Sequence, residues 1–217
     1  MKVKWNGHAS FTITAEDGTV LVTDPYDPSG YGGVLTYTVV SDRTDAVLVS
    51  HDHADHNYVE GLSGSPEVIR SSKEFKGIKI KAVETFHDES NGSERGKNMV
   101  FSMSVENIDI CFSGDLGHQL SDEQIHAIGN VDILMVPVGG TFTLDAEGAA
   151  KLTADLKPAI VIPMHYRTAK CNLPVGEVNS FTDIMEKVTW LDKSEIELTA
   201  DDIPAHGTEV WVMDFAN

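Results

Sequence analysis

The feature that most constrains the fold is a short apolar run that ends directly in a cluster of potential metal ligands. Residues 45–50 read D-A-V-L-V-S, a nearly continuous apolar run that predicts a strand buried on both faces. The chain continues as H-D-H-A-D-H-N, in which His51 and His53 point the same way along an extended backbone. Asp55 and His56 follow at the turn, so the strand end can aim two ligands at one ion and two at a second. The alternative interpretation is a polar surface loop.

Three further candidates stand where other predicted strands end. His87, Asp115 and His165 each come just after an apolar run. Taken singly, a histidine in such a place is more often a hydrogen-bonded structural residue, and an aspartate in G-D-L-G is more often a turn former. Together with the histidine-rich run, they predict a metal centre at strand ends, where functional residues on sheet scaffolds often lie. Imidazole and carboxylate ligands suit zinc, and also iron or manganese.

The remaining pattern predicts strand hairpins in the first half of the chain and alternating helices and strands in the second. The turn signal Asp17-Gly18 separates two predicted strands, 2–14 and 19–24. The sequence S-D-E-Q at 121–124 is a capping box that begins a helix ending near residue 128. The further predicted strands are 45–50, 67–70, 78–85, 99–105, 108–113, 131–138, 159–163 and 209–215, and the further helices are 144–156 and 181–188. Two sheets with helices outside them, and no linker, predict a single domain over residues 1–217.

The ordered set of ligand candidates resembles the metallo-β-lactamase superfamily, and the match extends over essentially the whole chain. The set is His51-x-His53-x-Asp55-His56, His87, Asp115 and His165. Its surroundings resemble one branch, the small bacterial and archaeal Zn-dependent hydrolases of the β-lactamase fold, which are relatives of the ascorbate-6-phosphate lactonases. These surroundings are Trp5-x-Gly7-His8, Thr23-Asp24-Pro25, Glu84–Asp88 with Arg95–Asn98, Pro137–Gly140 and Pro163–Tyr166.

The resemblance implies an α/β (α+β) fold, a four-layer αββα sandwich with two divalent metal ions at one edge, between its sheets. By position, one ion would be held by His51, His53 and His87, the other by Asp55, His56 and His165, and Asp115 would bridge them. Flavodiiron relatives have a carboxylate where this chain has His53, which favours zinc and hydrolysis over di-iron redox chemistry. Manganese and iron are the alternative metals. Aspartate rather than cysteine at position 115 argues against the best-known β-lactam-cleaving subgroup.

The chemistry expected of such a site is hydrolysis. Two divalent ions with only two carboxylates, Asp55 and Asp115, leave a surplus of about two positive charges, which favours a metal-bound hydroxide as the nucleophile. These two aspartates are the expected catalytic residues, with Asp55 orienting the nucleophile or passing a proton. On the resemblance alone, the substrate is a small-molecule lactone or phosphate ester. The alternatives are a nuclease or nucleotide phosphodiesterase of the same fold, and a non-catalytic metal-binding domain.

Four other polar residues are candidates for binding substrate or supporting a metal ligand. They are His8, Asp24, Arg95 and His118. Asp24 ends a predicted strand, and like Asp52 and Asp88 it is a candidate to fix the tautomer of an imidazole. Arg95 lies in a loop rich in Gly, Ser and Asn, where a guanidinium can bind a phosphate or carboxylate, or form a surface salt bridge. For the two histidines of the set, the alternative is a structural hydrogen bond.

Charge narrows the class of partner. The net charge is −18, from 34 acidic and 16 basic residues, so the surface repels nucleic-acid phosphates and anionic membranes. The first residues lack the apolar core of a signal peptide, and two cysteines make no disulfide framework. We therefore expect a cytoplasmic enzyme with a small-molecule substrate and without a long nucleic acid or a membrane as partner. A homo-oligomer is an open alternative. Pocket walls are expected from residues 26–37, 88–98 and 141–144.

Overall fold

Two mixed β-sheets face each other in the computed structural model, which describes residues 1–216. The first sheet has the order β13-β1-β2-β3-β4-β5. Its strands are β1 (Lys2–Gly7), β2 (Ser10–Thr14), β3 (Val20–Thr23), β4 (Arg43–Leu48), β5 (Ser63–Ile69) and β13 (Glu195–Glu197). The second sheet has the order β12-β14-β11-β10-β9-β8-β7-β6. Its strands are β6 (Lys73–Phe75), β7 (Ile78–Phe86), β8 (Lys97–Val105), β9 (Ile108–Phe112), β10 (Ile133–Pro137), β11 (Ile160–Met164), β12 (Val188–Trp190) and β14 (Glu209–Val212).

The helices are few and short. The α-helices are α1 (Asp122–Ile128), α2 (Ala146–Leu156) and α3 (Asn179–Thr182), and the 3-10 turns are Gly30–Gly32, Val59–Gly61 and Ala200–Asp202. Helix α1 contacts β7 and β8, and α2 contacts β10 and α3. The predicted capping box of α1 is confirmed, because the side chains of Ser121 and Gln124 each accept the other's backbone N–H. Among the described residues, no helix has the length and apolar character needed to cross a membrane.

Strand β4 is buried on both faces, as its apolar run predicts. Ala46 and Leu48 point into the main core between the two sheets. Val47 and Val49 point the other way, into a second apolar cluster that includes Tyr26 from the loop after β3. Helices outside one sheet and packed loops outside the other complete the expected layered αββα sandwich.

Two predicted elements differ from the structure. Residues 2–14, expected as one strand, form a hairpin, since the chain reverses at Gly7 and His8, whose φ angles are 114° and 52°. Because the strand pattern continues on both sides of this tight turn, hydrophobic periodicity does not reveal the turn. The helix expected over 181–188 is only the four-residue α3, because Val188 instead begins β12 and pairs in parallel with β14.

The mixed topology brings four strand ends to one edge of the sandwich. Strands β9, β10 and β11 run parallel to one another, and β7 runs in the same direction because β8 lies antiparallel between β7 and β9. In the other sheet, β4 is parallel to β3 and β5. The residues that follow β4, β7, β9 and β11 therefore meet, and these are the ligand candidates of the sequence.

Candidate metal centre

Asp115 lies at the middle of a buried cluster of imidazoles. Its Oδ2 atom is 3.0 Å from His56 Nε2, 3.2 Å from His87 Nε2 and 3.3 Å from His165 Nε2. The backbone N–H of Asp115 donates to Asn98 Oδ1 at 2.9 Å, which holds the turn after β9 in place. One carboxylate thus touches histidines from three separate strand ends, the position expected for a group shared by two ions.

The histidines and Asp55 form two groups, and both groups have members close to Asp115. In each group, one ligand atom per residue lies within 4.8 Å of the others. The first group is His51, His53 and His87, and the second is His8, Asp55, His56 and His165. These are the two expected ligand sets with one addition, His8.

Asp24 and Ser50 orient two of the imidazoles. Asp24 is fully buried, and its Oδ2 accepts a hydrogen bond from His56 Nδ1 at 2.9 Å. The same carboxylate accepts both the backbone N–H and the hydroxyl of Ser50. Because the Ser50 proton goes to Asp24, the hydroxyl oxygen accepts from His51 Nδ1 at 2.9 Å. Both imidazoles therefore carry a proton on Nδ1 and turn Nε2, the nitrogen left to face a cation, toward Asp115.

The remaining two strand-end histidines are held by backbone groups. His87 Nδ1 donates to the carbonyl oxygen of Phe142 at 3.1 Å. His165 adopts a φ of 51°, and its backbone N–H donates to the carbonyl oxygen of His8 at 3.1 Å. A Cβ atom at Gly117 would lie 2.4 Å from the His87 carbonyl carbon, so only glycine permits this close approach.

His8 belongs to the cluster rather than to its rim. The side chain is fully buried, and Nε2 lies 3.1 Å from Asp55 Oδ2. Burial and, to a lesser extent, the neighbouring His165 lower the pKa of His8 to about 4, so the ring is neutral at pH 7. The ionised carboxylate of Asp55 can only accept a hydrogen bond, which puts the single imidazole proton on Nε2. His8 therefore holds Asp55 in place.

The charge balance of the cluster fits divalent cations. His56 Nε2, Asp115 Oδ1 and His165 Nδ1 are buried without a hydrogen-bond partner among the described residues. Burial opposes ionisation of Asp115, yet His165 and His56 keep its pKa well below the usual range. Burial also opposes protonation of His56, yet Asp115 and Asp55 raise its pKa well above the usual value. The cluster thus attracts positive charge, and it offers the carboxylates and imidazoles that zinc binds.

Three residues expected near the ligands have other contacts. His118 accepts the backbone N–H of Phe86 at Nε2 and donates from Nδ1 to the carbonyl of Gln119, so it supports the end of β7 and lies outside the cluster. Asp88 orients no imidazole and instead accepts backbone N–H groups of the loop that follows it. Asp52, another candidate to fix an imidazole tautomer, is instead exposed and paired with Arg70.

A cavity of about 370 Å³ opens onto the cluster. Its lining includes His53, Asp55, His87, Asp115 and His165, together with Tyr31, Val34, Arg95, Phe142 and Leu173. Each of the three segments expected to form the pocket walls contributes a residue to this lining, and Arg95 is the one from residues 88–98. Leu173, from the loop after β11, was missed, because no local pattern links that loop to the site.

Comparison with known proteins identifies the family. A family model described as a beta-lactamase superfamily domain matches residues 2–165, a span that contains every member of both ligand groups. The chain belongs to the beta-lactamase superfamily. This superfamily member is 29% identical to a UPF0173 metal-dependent hydrolase of Thermoplasma acidophilum, a match that covers 77% of this chain and 84% of the relative. It is 31% identical to a UPF0173 metal-dependent hydrolase of Pelotomaculum thermopropionicum, with 77% and 85% covered.

The structural comparison agrees with the sequence comparison. A crystal structure of a metallo-beta-lactamase superfamily protein from Thermotoga maritima superposes with a TM-score of 0.81. The two chains are 34% identical, and the match covers 99% of each. The expected family and the αββα fold are confirmed, and the chain stands among metal-dependent hydrolases of this fold.

Proposed function

We propose that the protein is a dinuclear zinc hydrolase that acts on a small-molecule lactone or phosphate ester. The observation that carries this proposal is the arrangement of two ligand groups around Asp115 at the base of one cavity. One ion would be held by His51, His53 and His87, the other by Asp55, His56 and His165, with Asp115 between them. Bound zinc supplies Lewis acidity, which lowers the pKa of water toward about 7 and polarises the group to be cleaved.

The side chains supply orientation and proton handling. Asp55 lines the cavity, and although burial opposes its ionisation, His56 and His8 keep its pKa below the usual range. An ionised carboxylate there can accept a hydrogen bond from an attacking water molecule, which orients it, and can pass its proton toward the leaving oxygen. His8 restrains the other side of this carboxylate, which keeps the proton acceptor aimed at the substrate. Asp115 keeps four imidazoles converged on the same point.

The size and charge of the molecule support a small substrate. A cavity of about 370 Å³ suits one small organic molecule. The net charge of −18 opposes a long polyanion, which is why we do not extend the proposal to a nuclease. The buried free thiols Cys111 and Cys171 are compatible with the reducing cytoplasm that we propose as the location.

The test combines metal analysis with an activity panel. Protein purified without added metal is expected to carry up to about two equivalents of transition metal, and to reach two on zinc or manganese loading. Loaded protein is then assayed on lactones, phosphomonoesters and phosphodiesters. We expect Asp55→Ala to lose about 100-fold or more in kcat/KM. The matched control is Asp52→Ala, which removes an exposed carboxylate three residues away and is expected to keep the activity.

Two results would contradict the proposal. A metal content below about half an equivalent that does not rise on loading would reject the metal centre. Full metal loading without turnover on any member of the panel would instead favour a non-catalytic metal-binding domain.

A further inference from the structure

Arg95 presents a positive charge at the mouth of the candidate active site. Its side chain is about one-third exposed and lines the cavity together with His53 and His87. The guanidinium carbon lies 5.7 Å from the ring centroid of Phe142, a distance at which cation–π attraction is significant. The carbonyl of Phe142 accepts the hydrogen bond from His87 Nδ1, so Phe142 links Arg95 directly to the first ligand group.

The loop that carries Arg95 is held rigidly. Asp88 Oδ1 accepts the backbone N–H groups of Ser90 and Gly92, and Oδ2 accepts those of Glu94 and Arg95. Four hydrogen bonds to one carboxylate fix the course of the chain from His87 to Arg95. The backbone at Arg95 is thus already ordered before any ligand binds, which lowers the entropic cost of an anion-binding site.

Arg95 differs from the basic residues around it in how it is paired. Arg70 contacts Asp52 at 2.8 Å, and Lys97 contacts Glu84 at 2.8 Å. The carboxylate that contacts Arg95 is Glu94, at 3.4 Å, and the Glu94 side chain is 58% exposed. An exposed ion pair at this distance contributes little, so an anion from a ligand can displace it.

The rest of the outer cavity wall is apolar. Val34, Phe142 and Leu173 are half-buried side chains that contact the second apolar cluster, and Tyr31 adds an exposed ring. Small-molecule sites commonly combine such walls with a few polar groups that fix orientation.

We propose that the cavity takes a substrate in which an anionic group, carboxylate or phosphate, lies next to an apolar part, and that Arg95 binds the anionic group. The proposal rests on the function proposed above and narrows its substrate class. A guanidinium matches the two oxygens of a carboxylate or phosphate with two parallel N–H donors, whereas an ammonium does not. The apolar part of the substrate would lie against Val34, Phe142 and Leu173.

Binding of matched ligand pairs to the zinc-loaded protein tests this inference without turnover. The pairs are 4-phenylbutyrate with 4-phenylbutanol, and benzylphosphonate with benzyl alcohol. Dissociation constants are measured by calorimetry or NMR titration. We expect wild-type protein to bind at least one anion about tenfold or more tightly than its neutral partner, and Arg95→Gln to reduce that ratio by about tenfold. Arg95→Lys is expected to give an intermediate ratio, and the pair with the larger dependence on Arg95 identifies the anion type.

The matched control is Lys97→Gln, which removes the same charge two residues away and should leave the ratio unchanged. If Arg95→Gln keeps the preference for the anion over its neutral partner, the anion binds elsewhere and the proposal is overturned. Equal or undetectable binding of anion and neutral partner by the wild-type protein overturns it as well. A ratio that depends on Arg95, in a protein that turns over no substrate, would sustain the anion site and reject the hydrolase function.

Discussion

His8 Nε2 lies 3.1 Å from Asp55 Oδ2, and this contact joins the turn between β1 and β2 to the ligand loop after β4. The neutral imidazole donates its single proton to a carboxylate that faces the cavity. His8 is therefore a positioning residue for Asp55. Its φ of 52° is tolerated by histidine and asparagine better than by most residues.

Substitution of His8 tests this role. Asparagine suits the backbone, but its amide ends near the position of Nδ1, short of Asp55, whereas glutamine can extend its amide to the position of Nε2. We expect His8→Asn to lower zinc affinity by about 10–100-fold, and His8→Gln to recover part of the loss. Chelator competition with metal counting measures the effect. Equal zinc affinity of His8→Asn and wild-type protein would show that Asp55 needs no support.

Asp24→Asn is expected to destabilise the fold and weaken the metal centre together. The asparagine amide nitrogen cannot accept a hydrogen bond, so one of the donors from Ser50 or His56 loses its partner in a fully buried place. The expected loss is about 1–3 kcal/mol in the free energy of unfolding, measured by urea denaturation of metal-free protein. Asp52→Asn, at an exposed position, is expected to stay within about 0.5 kcal/mol of wild type. Equal effects of the two variants would argue against the orienting role of Asp24.

Gly117→Ala is expected to displace His87. The new Cβ would lie 2.4 Å from the His87 carbonyl carbon and 2.5 Å from the Asp88 backbone nitrogen, so the end of β7 must move. Forced contacts of this kind cost about 1–3 kcal/mol, and here they also shift a ligand of the first group. Thermal melts and zinc content measure both effects. Gly176→Ala is the control, since the atom nearest to its new Cβ would be 3.3 Å away. A melting temperature and zinc content equal to those of the wild type for Gly117→Ala would contradict the prediction.

The loop after β7 is expected to loosen in acid. Although burial opposes ionisation of Asp88, backbone N–H groups led by that of Arg95 lower its pKa. A carboxylate with a lowered pKa contributes stability above its unfolded value of about 3.9, and this stability is lost as the pH falls through the lower folded value. The backbone amides of residues 90–95 should therefore exchange hydrogen more slowly than the intrinsic rate at pH 5 to 7. Below about pH 4 these amides should lose that protection. Asp88→Asn should lose protection at every pH, and protection that persists in this variant would refute the role of Asp88.

The sequence was most informative about which residues meet at the site. Each ligand candidate directly follows an apolar strand, and parallel neighbours bring such positions to one edge. The orienting contacts were less accessible. Asp24 was a candidate without a partner, and Ser50 and the Phe142 carbonyl gave no signal. The Asp24–His56 and Phe142–His87 contacts span tens of residues, and Ser50 accepts from the adjacent His51 only because its own proton goes to the distant Asp24. His118 and Asp88 were placed near the ligands by spacing alone, and their backbone contacts could not be inferred from it.

By itself, the sequence determined the two-sheet class, the main strand positions and which candidate ligands stand at strand ends. It could do so because apolar periodicity and turn chemistry are local properties of the chain. Only the tertiary structure decided that His8 supports Asp55, that Asp24 and Ser50 set the tautomers of His56 and His51, and that Arg95 shares a cavity with His53 and His87. These relations depend on strand register, on the stacking of one sheet upon the other, and on turns at positive φ, all of which are settled only when distant segments pack together.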